Sequence, residues 1–254
     1  FPNILFILAD DQRYDVIHAL GNKEIITPNL DALISSGTTF INSYIMGAMN
    51  GAVCAPSRAM LITGRTLFEI NPYSGDQLDM PDILIAEALS KNDYTTFHTG
   101  KWHNGEKAFL KGFDQGSKIF FGGMSDHYQV PTKELNYKNQ LSEIKIDSTH
   151  SSELFAVAAE KFIRDYDDSN PFFLQVSFTA PHDPRNMPQE YLKLYDTIEI
   201  DVPKNFATMH PFDNGELDIR DEWLAGYPRS RDEIKANIVA YYAMITHMDE
   251  QIGN

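Results

Sequence analysis

Three short segments rich in apolar, aromatic and β-branched residues, each followed at once by polar or charged residues, constrain the fold of this chain most. They are residues 3–9, 94–99 and 172–178. Runs of this kind are typical of strands that are covered on both faces in a parallel sheet. Segments with helical spacing alternate with them, which predicts an α/β fold with a mostly parallel central sheet flanked by helices. The length of 254 residues fits one large domain of this class or two small ones.

Amphipathic spacing and capping residues predict the helices. Periodic apolar residues indicate helices over residues 57–62, 82–90, 151–166 and 231–252. A further helix is expected after Thr27, which fits an N-cap before Pro28. Its buried stripe is expected to consist of Leu30, Leu33 and Ile34.

Other segments have weaker patterns. Residues 38–44 fit a strand, whereas residues 112–147 and 201–229 fit long loops because they lack a clear hydrophobic period. Two groups of side chains fit core or surface positions better than a functional site. They are the histidines outside any motif (His18, His98, His127, His150, His210 and His247) and three residues of the last helix (Tyr241, Tyr242 and Met244).

The net charge of −15 limits the partners of the chain. Binding to a nucleic-acid backbone requires clustered lysine and arginine, so a nucleic-acid partner is not expected. If the ligand is an anion, a local group of cations must attract it against the overall field. The apolar run at residues 4–9 is too short to span a bilayer, so no membrane partner is expected.

Chemically reactive side chains follow each of the three expected strands. Asp10 and Asp11 come after the first, Lys101 and His103 after the second, and His182 after the third. Because the carboxyl ends of parallel strands meet at one edge of a sheet, we expect these side chains to converge. Adjacent carboxylates repel unless a cation or a shared proton separates them, and their oxygens suit calcium or magnesium. An isolated Asp-Asp pair, by contrast, is most often a polar turn.

Cys54 is the single cysteine, so it cannot form an intramolecular disulfide. It begins the string CAPSRAMLITGR at residues 54–65, which fits the start of a short helix with Arg58 one turn further on. A helix N-terminus and a nearby cation both favour an anion at the cysteine position. A lone cysteine without such a context is most often buried and inert.

Together these strings resemble the type I sulfatases of the alkaline phosphatase superfamily. The resemblance rests on C-x-P-S-R-x-x-x-x-T-G-R at residues 54–65, DDQR at 10–13, GKWH at 100–103 and APHDP at 180–184. The chain departs from the family pattern at Asp93 and Thr99, which bear on local packing rather than on reactive groups. The resemblance implies a sulfatase-like sheet and hydrolysis of a sulfuric ester.

The resemblance also implies two cofactors. A maturation enzyme would convert Cys54 to formylglycine, whose hydrate is the nucleophile of the family. Arg58 would hold that residue in place. Asp10, Asp11 and the modified Cys54 would bind calcium.

The remaining implied roles concern the substrate. Lys101 would contact a sulfate oxygen, and His103 would hydrogen-bond the formylglycine hydroxyl and act as a base. His182 would contact sulfate and protonate the leaving alcohol, since an alkoxide is a poor leaving group. Asp183 and Arg185 are candidate substrate contacts.

The substrate class and the extent of the chain follow from the same resemblance. Residues 179–185, 213–214 and 241–252 resemble sulfatases that act on sulfated sugars, so we expect a sulfated small molecule or glycan. The chain is expected to be the N-terminal portion of a sulfatase catalytic domain, without the later metal ligands and lysine. Alone, it would then bind calcium weakly and turn over poorly. A periplasmic or secreted location, with a leader removed, is expected.

Two alternatives stay open. The first is another hydrolase of the same superfamily that acts on phosphonates or phosphodiesters. The second is a non-catalytic fragment that binds sulfated sugars. Comparing the hydrolysis of sulfate and phosphate esters distinguishes the first alternative from a sulfatase. Binding of sulfated sugars without hydrolysis would identify the second.

Overall fold

A central sheet with helices on both faces organises the chain. The computed structural model describes residues 1–44, 46, 53–70, 78, 83–213, 215 and 217–254, with the side chains at 220 and 221 left undescribed. The strands are β1 (Ile4–Asp10), β2 (Thr95–Lys101), β3 (Gln115–Phe120), β4 (Pro131–Leu135), β5 (Lys145–Ile146) and β6 (Phe172–Pro181). The helices are α1 (Pro28–Ser36), α2 (Cys54–Thr63), α3 (Ile85–Ser90), α4 (Glu106–Gly112), α5 (Ser151–Asp165), α6 (Gln189–Lys193) and α7 (Arg231–Gly253), with 3₁₀ turns at His18–Leu20 and Arg220–Leu224.

The strand order places the three predicted strands side by side. The sheet runs β1-β6-β2-β3-β4-β5, and the pairs β1·β6, β6·β2 and β2·β3 are parallel, whereas β3·β4 and β4·β5 are antiparallel. Leu174 of β6 is in register with Leu5 of β1 and Phe97 of β2. The carboxyl ends of β1, β6 and β2 therefore lie next to one another. The predicted α/β fold with a mostly parallel central sheet is confirmed.

Two hydrophobic clusters, one on each face of the sheet, explain why β6 is mostly apolar. On one face, Leu174 and Val176 of β6 pack with residues of α5 and α7. On the other face, Phe173 packs with Trp102 and Phe109. Because neighbouring side chains of a strand point to opposite faces, a strand covered on both faces does not show the regular apolar–polar alternation of a half-exposed strand.

The first predicted helix is present, but its N-terminus is capped from elsewhere in the chain. Thr27 makes no side-chain cap; its Oγ1 accepts from the backbone N–H of His18 at 2.9 Å. The buried carboxylate of Asp249 on α7 accepts instead from the N–H groups of Asn29 (3.1 Å) and Leu30 (2.7 Å). An acidic group at a helix N-terminus satisfies free N–H donors and complements the helix dipole. This contact ties α7 to α1.

Four predictions about exposure and strands were wrong. β1 was expected to be covered on both faces, but it lies at an edge of the sheet and Leu5 is 51% exposed. Leu33 of α1 is 54% exposed rather than buried. Residues 38–44 form no strand, and Phe40 and Ile41 there are largely exposed. Residues 112–147 contain β3, β4 and β5 rather than loops only. These strands lie towards one edge of the sheet, where polar side chains meet solvent, so their sequences carry no continuous apolar run.

Several helix boundaries also differ from the prediction. α2 begins at Cys54 rather than at residue 57, since Pro56 falls in the first turn, where a missing N–H costs no helical hydrogen bond. α3 begins at Ile85, and Asp82, the predicted start, lies outside the described residues. No helix among the described residues combines the length and the apolar content that crossing a bilayer needs.

Candidate active site at the carboxyl ends of β1, β6 and β2

A buried ion cluster joins the ends of β1 and β2. The Nζ of Lys101, which is fully buried, donates to the carboxylate of Asp10 and to the carbonyl of Gly123 at 2.5 Å. Arg58 of α2 is 5% exposed; it donates from Nη1 to the carbonyl of Lys101 at 2.6 Å, and its Nη2 lies 3.8 Å from Asp10 Oδ1. Two cations thus share one buried carboxylate. This local excess of positive charge would attract an anion to an otherwise acidic protein.

Cys54 is the first residue of α2 and is partly buried. Burial lowers the pKa of Arg58, while the negative charge of Asp10 acts in the opposite direction. Arg58 lies four residues after Cys54 in α2, about one helical turn away, so the two residues lie on the same side of the helix. That Arg58 holds the residue at position 54 stays a prediction.

The turn after β2 holds Lys101 and His103 in place. Gly100 has φ +95°, and a Cβ there would lie 2.0 Å from the backbone oxygen of Ser177 on β6. Trp102 is buried and donates from Nε1 to the carbonyl of Gly105 at 2.8 Å. His103, also buried, has φ 61°. The glycine allows β2 and β6 to approach closely, and the indole anchors the turn.

Gly123 is a site residue that the sequence analysis missed. Its carbonyl accepts from Lys101 Nζ, and a Cβ at this position would lie 2.7 Å from Cε1 and 2.8 Å from Nε2 of His103. The absence of a side chain therefore leaves room for the imidazole. The sequence predicts a loop here. The pair Gly122-Gly123 is the one local sign that another group approaches the backbone closely.

His182 follows β6, next to the ends of β1 and β2. Its Nδ1 lies 2.9 Å from the carbonyl oxygen of Asp183 and 3.4 Å from Asp183 Oδ1. Nδ1–H is the donor of this hydrogen bond, because a carbonyl can only accept. Nε2 is then the ring atom left to exchange a proton with a ligand.

His127 supports the main chain of this loop from behind. Its Nε2–H donates to the carbonyl of His182 at 2.8 Å, so Nδ1 must accept, and Ser151 Oγ lies 2.7 Å away. Ser151 Oγ in turn accepts from Thr179 Oγ1 at 2.8 Å. Burial lowers the pKa of His127, which keeps the imidazole neutral as this arrangement requires. No pattern around His127 in the sequence indicates this role.

Two more buried histidines lie next to His127: His150 stacks on it, and His247 meets His150 edge-on. The rings of His127 and His150 are parallel, with centroids 5.0 Å apart, and His247 packs against His150 at 4.4 Å. Burial lowers the pKa of His150 to about 3 and that of His247 to about 4. The prediction that these histidines are core or surface residues agrees with their burial.

These depressed pKa values predict a loss of stability in acid. The folded protein keeps His150 and His247 neutral, whereas the unfolded chain binds protons below pH about 6.5. Their contribution to the free energy of unfolding is therefore fully present above pH 6.5. It is lost as the pH falls towards the pKa values of the two histidines in the folded protein. We expect each histidine to lower the free energy of unfolding by about 2 kcal/mol between pH 7 and pH 5.

Urea unfolding of the wild type and of His150→Gln across this pH range measures the effect. The variant should lose less stability on acidification, since it has one fewer group to protonate on unfolding. Equal losses in the two proteins would contradict the assignment of His150 as a neutral buried group.

Asp11 lies on the solvent side of the cluster. It is exposed, has φ 64°, and its carbonyl accepts from the hydroxyl of Tyr241 at 2.8 Å. The same hydroxyl accepts from the N–H of Arg13 at 2.9 Å. Burial raises the pKa of Tyr241 to about 12. Tyr242 and Met244 are buried as predicted. Tyr241 packs against the core and also contacts the site through its hydrogen bond to Asp11.

The described residues do not by themselves complete a calcium site. Calcium takes six to eight oxygen ligands. Asp10 and Asp11 supply the right donor type, but the carboxylate of Asp10 is already held by Lys101 and Arg58. Among the described residues, no group of three or more histidine, cysteine, aspartate or glutamate side chains could hold a metal ion.

Asp183 and Arg185 extend the site towards α7. Both belong to the loop after β6 and are partly buried. Arg185 Nη1 donates to Asn237 Oδ1 of α7, and the guanidinium carbon lies 5.9 Å from the centre of the Tyr241 ring. The sequence also predicts that the loop at residues 213–214 lies near the substrate. Residue 214 lies outside the described residues.

Comparison with known proteins assigns the whole chain to one class. A family model described as Sulfatase matches residues 2–254. An arylsulfatase of Klebsiella aerogenes is 29% identical over 290 residues, which cover 99% of this chain and 61% of that protein. Arylsulfatase A of Homo sapiens is 36% identical over 144 residues, which cover 53% of this chain and 27% of that protein.

Solved structures share the fold. BT4656 in complex with its substrate D-glucosamine-2-N,6-O-disulfate has a TM-score of 0.76 at 20% identity, covering 99% of this chain and 60% of that one. Ps i-CgsB in complex with k-i-k-neocarrahexaose has a TM-score of 0.73 at 24% identity, covering 99% of this chain and 53% of that one. The chain spans between 37 and 61% of the length of the first curated relatives that it matches.

Proposed function

Because the chain belongs to the sulfatase family, we propose that it carries the nucleophile, the cations and the general acid for hydrolysis of a sulfate ester. One observation carries the proposal. Lys101 and Arg58 are buried around the single carboxylate of Asp10, and Cys54 begins the helix that holds Arg58. The excess positive charge lies beside the position of the nucleophile, where charge on sulfuryl oxygens would develop in the transition state.

We infer that Cys54 is converted to formylglycine by a maturation enzyme and that calcium joins Asp10 and Asp11. When present, the hydrated aldehyde supplies a hydroxyl as nucleophile, and calcium adds positive charge at the sulfuryl oxygens. Ligands beyond the described residues would have to complete the metal site. The family match supports both cofactors, and a location outside the cytoplasm belongs to the same proposal.

The side chains of the site then have distinct tasks. Arg58 and Lys101 orient the sulfate and stabilise its oxygens, since both cations are desolvated and fixed by hydrogen bonds. His182 donates a proton from Nε2 to the leaving alcohol oxygen, while Nδ1–H stays bonded to the carbonyl of Asp183. His103, for which Gly123 leaves room because it has no side chain, would act as the base for a hydroxyl at position 54.

We propose a sulfated carbohydrate as substrate. Solved structures with similar folds contain a sulfated glucosamine in one case and a neocarrahexaose in another. This supports a carbohydrate substrate without identifying the sugar. The loop after β6 offers polar groups for hydrogen bonds, and Tyr241 offers the face of its ring. Both kinds of contact suit a sugar.

Replacement of Cys54 by alanine tests the proposal. Sulfate release from a sulfated sugar by the full-length protein, expressed with a maturation enzyme, should fall at least about a thousandfold, because the nucleophile is lost. Peptide mass spectrometry of the wild type should show the mass decrease expected when –CH₂SH becomes –CHO. The control is wild-type protein expressed without the maturation enzyme, which should keep the thiol and remain inactive.

Three results would contradict the proposal. The first is undiminished sulfate release by Cys54→Ala. The second is faster hydrolysis of phosphonate or phosphodiester substrates than of sulfate esters, which would favour another hydrolase of the superfamily. The third is binding of sulfated sugars without hydrolysis by protein whose Cys54 is converted and whose calcium is saturating.

A further inference from the structure

A cavity of about 400 Å³ opens beside the candidate active site on the side of Asp11. Its wall includes Arg185 from the loop after β6, and Asn237 and Tyr241 from α7. Leu224 and Ile238 add an apolar surface. The volume lies within the range of small-molecule sites, and the mixture of apolar walls with few polar groups is typical of them.

The cavity contains three arginines, but two of them are already neutralised. Arg13 makes a bidentate pair with Asp15, with Nε and Nη2 at 2.9 and 2.7 Å from the carboxylate oxygens. Arg229 pairs with Glu222 at 2.5 Å. Among the described residues, Arg185 forms no ion pair with a carboxylate. It is therefore the cation of this cavity whose charge is still available to a ligand.

The environment of Arg185 favours an anionic partner. Its Nη1 donates to a neutral acceptor, Asn237 Oδ1, and its buried Nε–H has no acceptor in the part of the chain that the structure describes. Burial lowers the pKa of Arg185, and the negative charges of Asp183 and of Asp11, which lines the same cavity, partly offset this effect. A partly buried cation without a bonded carboxylate is costly, and an oxyanion in the cavity would offset that cost.

We propose that this cavity binds a second anionic group of the substrate, a carboxylate or a further sulfate, with Arg185 as the recognition cation. The proposal rests on the proposed function, because the cavity shares Asp11 with the sulfate site and Arg185 is three residues after His182. A planar guanidinium pairs well with carboxylate and sulfate oxygens. Leu224, Ile238 and Tyr241 would pack against the apolar face of the sugar.

Binding to the full-length Cys54→Ala protein tests this without turnover. Isothermal titration calorimetry would compare three disaccharides that lack the scissile sulfate: one neutral, one with a uronate carboxylate and one with a sulfate at the second position. We expect at least one charged disaccharide to bind about tenfold or more tightly than the neutral one. A larger gain with the uronate identifies a carboxylate site, and a larger gain with the second sulfate identifies a sulfate site.

Arg185→Gln in the same background should reduce this preference to about twofold or less. Arg185→Lys, which keeps the charge without the planar fork, should retain part of it. The matched control is Arg164→Gln, which removes an exposed arginine on α5 and should leave the preference intact. Circular dichroism of each variant checks that it is folded.

Two outcomes would overturn the proposal: equal affinity for charged and neutral disaccharides, or a preference that survives in folded Arg185→Gln. Sulfate release by the matured wild type is measured separately. Absence of sulfate release together with an Arg185-dependent preference would refute the hydrolysis and support the anion subsite.

Discussion

Replacement of Asp10 by asparagine is expected to lower the free energy of unfolding by about 3–5 kcal/mol and to abolish sulfate release. The change keeps the shape of the side chain but removes the one carboxylate between two buried cations. Lys101 is fully buried and Arg58 is 5% exposed, so water cannot replace the lost charge. Breaking a buried ion pair from one side is costly because the remaining charge is left without compensation.

Urea denaturation in the presence of a chelator measures this effect without a contribution from bound metal. The matched control is Asp11→Asn, which removes the same charge from the next residue. Asp11 is exposed and has φ 64°, a conformation that asparagine tolerates well, so its stability should change by less than about 1 kcal/mol. Similar stability losses in the two variants would refute a structural role for the buried cluster.

Gly100→Ala is expected to destabilise the fold by about 4 kcal/mol or more, or to prevent the protein from folding. A Cβ at this position would lie 2.0 Å from the carbonyl oxygen and 2.7 Å from the carbonyl carbon of Ser177. Both atoms belong to the backbone of β6, which is held between β1 and β2 and cannot move away independently. The positive φ of +95° adds backbone strain.

Thermal and urea unfolding of Gly100→Ala should be compared with those of Gly21→Ala. Gly21 also has a positive φ, +109°, but no atom lies within 4 Å of an added Cβ. This control carries only the backbone strain and should lose about 1–2 kcal/mol. If the two variants lose the same stability, the close approach of β2 and β6 is not the reason for the glycine.

The residues at the carboxyl ends of the three strands could be predicted because each strand is recognised from a short stretch of sequence. Each of β1, β2 and β6 is a short run rich in apolar or β-branched residues, largely buried in β2 and β6 and partly buried in β1. Each run ends in polar or charged residues. Parallel strands place such ends together, so the sequence alone predicts that Asp10, Lys101 and His182 lie at one edge of the sheet. The helix of Cys54 and its turn to Arg58 were also visible as a local pattern.

Other parts of the fold could not be predicted because distant residues decide them. The cap of α1 comes from Asp249, more than 200 residues away in the chain. β3, β4 and β5 lack an apolar period, since their position towards one edge of the sheet leaves polar side chains exposed. Residues 38–44 have the composition of a strand, yet they pair with none of the described strands.

The amino-acid sequence alone predicts the class of fold and the chemical groups at the three strand ends. These follow from short-range periodicity and from side-chain chemistry, which do not depend on how the chain packs. The packing of distant segments encloses Asp10 between Lys101 and Arg58 and makes room for His103 over Gly123. It also places Arg185 at a cavity where, among the residues that the structure describes, no carboxylate pairs with it. Burial and charge compensation are sums over neighbours from many segments, so no single stretch of sequence contains them.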